Sequence, residues 1–137
     1  MELDNTNSEF WFALGDAEYH LENYINAENA YMKVIDLDPD DADIWLEYSH
    51  LLLADNRADE ALDTIQKGLV FNPDSMELMY RLACYHYILG NINESYRTLT
   101  EALERNVDLS TSIFEYTPSM ANDTHILELI ELYKKQL

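Results

Sequence analysis

The chain of 137 residues is 47% hydrophobic and carries 27 acidic against 8 basic side chains, a formal charge of −19. That length supports one continuous core and falls short of two ordinary domains, while the charge repels phosphate backbones and anionic headgroups and so excludes nucleic acid and membrane surfaces as expected partners. Three Gly, three Pro and one cysteine, Cys84, complete the picture: helices are favoured over tight-turned strands, and no intramolecular disulfide can form.

The opening Met1-Glu2-Leu3-Asp4 is acidic and lacks the basic and apolar regions of a secretory signal. No apolar run reaches the roughly 18 residues needed to span a bilayer, and the chain reads as cytoplasmic. Trp11, Leu14 and Tyr19 then recur at helical spacing, a polar break follows at Glu22-Asn23, and Ala27, Tyr31 and Val34 resume the spacing before Pro39 closes the unit. The unit is two helices. It returns 34 residues later, with Trp45 on Trp11, Ala61 on Ala27 and Pro73 on Pro39. A third unit follows with Leu82 at the phase of Leu14, Leu99 at that of Tyr31 and Ala102 at that of Val34. The breaks in the later units are Asn56-Arg57 and Gly90-Asn91, and Asp41 and Ser75 stand where N-caps belong. Small residues recur at Gly15, Ser49 and Ala83 and at Ala27, Ala61 and Ser95, which lets paired helices approach closely.

W-x-x-L-G over Trp11 to Gly15, the alanine, the aromatic and the closing proline together resemble the tetratricopeptide-repeat (TPR) consensus. The resemblance covers residues 8–109 and implies an all-α fold, an α–α superhelix (solenoid) of three helix pairs plus a C-terminal capping helix. The expected organisation is a single domain over 1–137, with repeats 8–41, 42–75 and 76–109 and a capping segment 110–137. Departures are mild: Glu18 stands for the usual tyrosine with Tyr19 beside it, Gly68 for alanine, and Val107 for the third proline. From Ser110 the register is lost, and after a Pro118 loop Asp123 caps a last helix through Ile126, Leu127, Ile130 and Tyr133.

The resemblance also implies a function, a scaffold that binds a partner protein or peptide and performs no catalysis. In such arrays the first helices of successive repeats line a concave groove. The positions that point into it are Glu9, Phe12, Asp16, Tyr19 and His20 in the first repeat; Asp43, Leu46 and His50 in the second; and Glu77, Tyr80 and Tyr87 in the third. This groove is aromatic along its floor and acidic along one edge, suited to a basic or neutral segment. Members that grip a chaperone's terminal carboxylate use several cations, and the matching positions here, Phe12, Asp16, Glu47, Glu77 and Arg81, keep one; a terminal acidic tail is not the expected ligand.

Other signals carry less. Asp36-x-Asp38-x-Asp40 with Glu47 imitates a calcium loop but has Asp41 where glycine is needed. Asp16, His20 and His50 lack the surrounding pattern of a metal site, Cys84 has little to activate it, and neither cofactor nor metal is expected. Glu2 to Asn7 hold the phase of a second helix's tail with no helix before them, and Phe10 holds a phase that packs on a preceding repeat. The chain therefore reads as a C-terminal piece of a longer array. The alternative role is a spacer or self-association module that stacks through Phe10 of the N-terminal repeat.

Overall fold

The computed structural model describes residues 7–136, and every regular element among them is helical. Residues 2–6 of the expected helix tail lie outside this range, and Asn7 caps the first helix, its Oδ1 accepting the Glu9 N–H at 2.9 Å. The chain divides into two compact units, 1–73 and 74–137.

The first unit holds two helix pairs, α1 (Ser8–His20) with α2 (Tyr24–Leu37) and α3 (Ala42–Ala54) with α4 (Ala58–Phe71). Each pair turns sharply at a residue with positive φ, Glu22 at 61° and Asn56 at 61°, which is the left-handed geometry that ends a helix and starts the return. Ala27 and Ala61 are fully buried, as are Ile44 and Ile65. Between α1 and α2, Gly15 leaves room for the Tyr31 ring, whose atoms occupy the place of any Cβ there. Between α3 and α4 the roles reverse, and Gly68 lies against Trp45, where a Cβ would sit 2.7 Å from Cγ of the indole. Trp45 cannot swing away, because its Nε1 donates to the Pro39 carbonyl at 2.8 Å and its ring stacks on Phe71 at 5.7 Å. The glycine at 68 is thereby explained by the tryptophan at 45. Gly68→Ala should cost about 1–3 kcal/mol in a urea melt, and a silent substitution would show that the indole can be displaced.

Across the pairs of this unit, Glu28 of α2 accepts the Tyr48 hydroxyl at 2.7 Å and two Arg57 N–H bonds at 3.1 and 3.0 Å. Arg57 also binds Glu60. One arginine thus ties α2 to the start of α4.

The second unit holds α5 (Met76–Ile88) and α6 (Ile92–Arg105), then a 3-10 stretch Val107–Ser112, the short α7 (Ile113–Tyr116), a second 3-10 stretch Pro118–Asn122, and α8 (Thr124–Lys134). The turn between α5 and α6 carries Gly90 at φ 82°, the same phase as Glu22 and Asn56. Ser95, buried at the small-residue phase, donates to the Ala83 carbonyl at 2.7 Å. The segment after the repeats is not the open loop expected around Pro118; it is helical turn after helical turn, with Ile113 and Met120 fully buried. Asp123 then caps α8, accepting the N–H groups of His125 and Ile126 at 3.0 and 3.3 Å, and buries Ile126 and Ile130.

Candidate functional site

In the first unit, α1 and α3 present the expected groove positions of residues 7–73. Glu9, Phe12, Asp16 and Asp43 converge on one cavity of about 320 Å³, floored by Ala13 and Val34. Glu9 and Asp43 are exposed at its edge, each held in the first turn of its helix behind an Asn7 or Asp41 cap. Phe12 is half-buried, its ring 5.9 Å from that of Tyr31. Asp16 is less free than its neighbours, since the Tyr31 hydroxyl donates to it at 2.5 Å. Burial and that carboxylate push the Tyr31 phenol well above its ordinary range.

A turn further along, Tyr19 gathers aromatic neighbours. Its ring centroid lies 5.7 Å from His20, 5.9 Å from His50 and 5.9 Å from Tyr24. Desolvation, with nearby negative charge, raises the Tyr19 phenol. His20 and His50 are exposed. Leu46 is not part of an open floor: at 8% exposure it belongs to the core of α3 and α4. Asp16, His20 and His50 do not assemble a metal centre, and among the described residues no group of three metal-ligating side chains does.

In the second unit Glu77 is exposed at the start of α5 and Tyr87 is half-buried, its hydroxyl given to Asp123 at 3.1 Å. Tyr80 sits in the core at 1% exposure, its hydroxyl bonded to the Asn106 carbonyl and its phenol pushed up to about 12, chiefly by burial. Cys84 is fully buried and its thiol is raised to about 11 by desolvation, the opposite of what a nucleophile needs. His86 is likewise buried, which lowers its pKa.

Sequence reasoning did not anticipate the surroundings of Arg81. This side chain is only 6% exposed, with its guanidinium 3.5 Å from the centre of the Tyr116 ring. It lines a cavity of about 250 Å³ together with Glu77, Tyr80, Cys84, Leu109, Ser112 and Tyr116. Two of these, Ser112 and Tyr116, come from the stretch where the repeat register is lost, so periodicity held no signal for them.

Comparison with known proteins bears on these features. The family model described as "Tetratricopeptide repeat" matches residues 18–83. The peroxisomal targeting signal receptor of Kluyveromyces lactis is 24% identical over 129 residues, which cover 94% of this chain and 22% of that protein. The chain thus spans about a fifth of the length of that curated relative. Among solved structures, the TPR2B domain of yeast Sti1 in its pHsp70 complex is similar with a TM-score of 0.66 at 18% identity, covering 95% of this chain and 98% of that one. The type III secretion chaperone SycD of Yersinia enterocolitica, in complex with a peptide of the translocator YopD, has a TM-score of 0.66 at 19% identity, covering 93% and 92%. At these identities the likeness to solved structures shows the fold.

Proposed function

We propose that this chain, which belongs to the tetratricopeptide-repeat family, binds a segment of another polypeptide on the first-helix face of residues 7–73 and selects basic or neutral segments there. The carrying observation is the cavity at which exposed Glu9 and Asp43 flank half-buried Phe12. A lysine or arginine fits such a site, with its stem on the aromatic ring and its head between carboxylates. Similar proteins supply support of a coarser kind: two of the solved likenesses are complexes with a polypeptide ligand. The work is binding and not catalysis, as the titratable groups at the open face are scattered along it and do not converge in a closed pocket. No described helix is long and apolar enough to cross a membrane, and we place the chain in the cytoplasm as one TPR domain.

Selection from a displayed library of random peptides tests this. Phe12→Ala and Tyr19→Ala should each weaken a selected segment by about 1–2 kcal/mol, as aromatic anchors do. Glu9→Gln with Asp43→Asn should mainly slow association and flatten its salt dependence, because exposed charges steer encounter. Asp16 is left intact in that pair, since Tyr31 depends on it. Selected segments that ignore all four substitutions and respond to Asp63 on α4 would move the binding face to the second helices.

A further inference from the structure

We propose that the outward face of α2, from the Glu22 turn to Met32, docks a basic amphipathic helix of a partner protein. This is a second surface, independent of the reading at the Phe12 face, and it lies wholly within the first unit.

The buried side of α2 is made by Ala27, Ala30, Tyr31 and Val34. Away from them stand Ile25, 78% exposed, and Met32, half exposed, which share a face because they lie seven residues apart. Leu21, at the end of α1, is exposed beside the same turn. Packing within the repeat does not call for these side chains. The 34-residue period sets Ile25 in phase with Asp59 and Asn93, and Met32 with Gln66 and Thr100, so both later repeats hold polar residues there. A single exposed aliphatic needs no explanation. A row of them at phases that are polar elsewhere in the chain marks a surface that another molecule covers.

Charge identifies the occupant. Ile25 lines a cavity of about 570 Å³ with Glu22, Asn23, Tyr24, Asn26 and Asp55, and no basic side chain is among them. Glu18 is held by the side-chain amides of Asn23 and Asn26 at 2.9 and 3.5 Å, neutral donors that leave its charge in place. Arg57, which reaches Asp55, is shared with Glu28 and Glu60, so one positive charge faces three carboxylates. The negative excess draws a lysine or arginine to the cavity, while aliphatic side chains on the same stripe of the incoming helix cover Ile25 and Met32. The same excess disfavours an anionic surface, and a second copy of this chain, itself at −19, is repelled.

The test titrates the whole chain, labelled with nitrogen-15, with a leucine–lysine peptide about four turns long whose leucines form one helical stripe. Two controls accompany it: a scrambled peptide of the same composition without the stripe, and one with glutamate in place of lysine. The amides of residues 24–32 should shift saturably with the first peptide alone. Ile25→Asn with Met32→Gln should weaken it about tenfold or more, the worth of burying an aliphatic side chain. Glu22→Asn should weaken it about two- to fivefold, an effect lost at high salt. Each substitution installs a residue type that a later repeat holds at the same phase, at Asn93, Gln66 and Asn56, so the fold is kept. No saturable shift, equal binding of the scrambled or the glutamate peptide, or weakening by Phe12→Ala but not by Ile25→Asn with Met32→Gln would each overturn the assignment. So would light scattering that shows the chain associating with itself and that pair of substitutions dispersing the assembly. The Phe12 face is judged on Phe12→Ala with segments from the random library, so either surface can fail while the other stands.

Discussion

Tyr31→Ala should lower the stability of the fold by about 3–5 kcal/mol, the range for removing a large buried aromatic. Tyr31 is 1% exposed and fills the space that Gly15 leaves on α1. Its removal opens a cavity that a rigid helix pair closes poorly, and it strands the Asp16 carboxylate, which now accepts the Tyr31 hydroxyl at 2.5 Å. Tyr31→Phe separates the two contributions. It keeps the ring and loses the bond to a charged acceptor, so it should cost roughly 1.5–3 kcal/mol. Chemical denaturation of the three proteins gives both numbers. A loss under about 1 kcal/mol for Tyr31→Ala would mean that α1 and α2 are not locked by this ring.

Asp123→Ala should release α8 while α5 and α6 remain folded. The carboxylate of Asp123 caps α8 and accepts the hydroxyls of Tyr87 on α5 and Tyr96 on α6, at 3.1 and 2.7 Å. The lost cap alone costs about 0.5–2 kcal/mol, and each phenol loses a charged acceptor besides. Hydrogen exchange should show the amides of 124–134 losing protection ahead of those in α5. Acid should act in the same direction. Burial on its own would raise the Asp123 carboxyl, but the bonds from Tyr96, Ile126, Tyr87 and His125 outweigh it and hold the pKa below the usual range. A depressed carboxyl contributes its stability above the unfolded value near ~4 and loses it as the pH falls through the folded value, so α8 should loosen only in acid below about pH 4. Undocking that begins well above that range would show that the Asp123 carboxylate is not what holds α8 in place.

Much of this architecture is legible in the residues themselves. The caps at Asp41, Ser75 and Asp123 are where side-chain oxygens must meet unpaired helix N–H groups, and each does so. Ala27, Ala61 and Ser95 announce close helix contacts, and all three are fully buried. Of the candidate site, the grouping of some side chains was legible. Glu9, Phe12, Asp16 and Asp43 share a cavity because helical phase alone aligns them, within a helix and at the same position of the next repeat. Leu46 and Tyr80 obey the same phase yet are buried, because what covers a helix face is a tertiary matter; for Tyr80 part of the answer is Asn106, 26 residues away. The Glu28–Arg57 link and the Arg81–Tyr116 stack are hidden for the same reason: their partners lie 29 and 35 positions apart, and no periodicity relates them.

The recurring bond between a phenol and a carboxylate has a consequence of its own. Tyr31 with Asp16, Tyr48 with Glu28, Tyr87 and Tyr96 with Asp123, and Tyr133 with Glu104 fasten helices through acids that have few basic side chains to pair with. A neutral donor fixes a carboxylate without cancelling its charge, so the chain stays strongly anionic while its acids serve as joints. Dissolved ions screen the long-range field of those charges and leave the short phenol contacts nearly untouched. Architecture and attraction therefore answer to different variables, and a change of ionic strength can retune which partners are drawn in without loosening the frame that receives them.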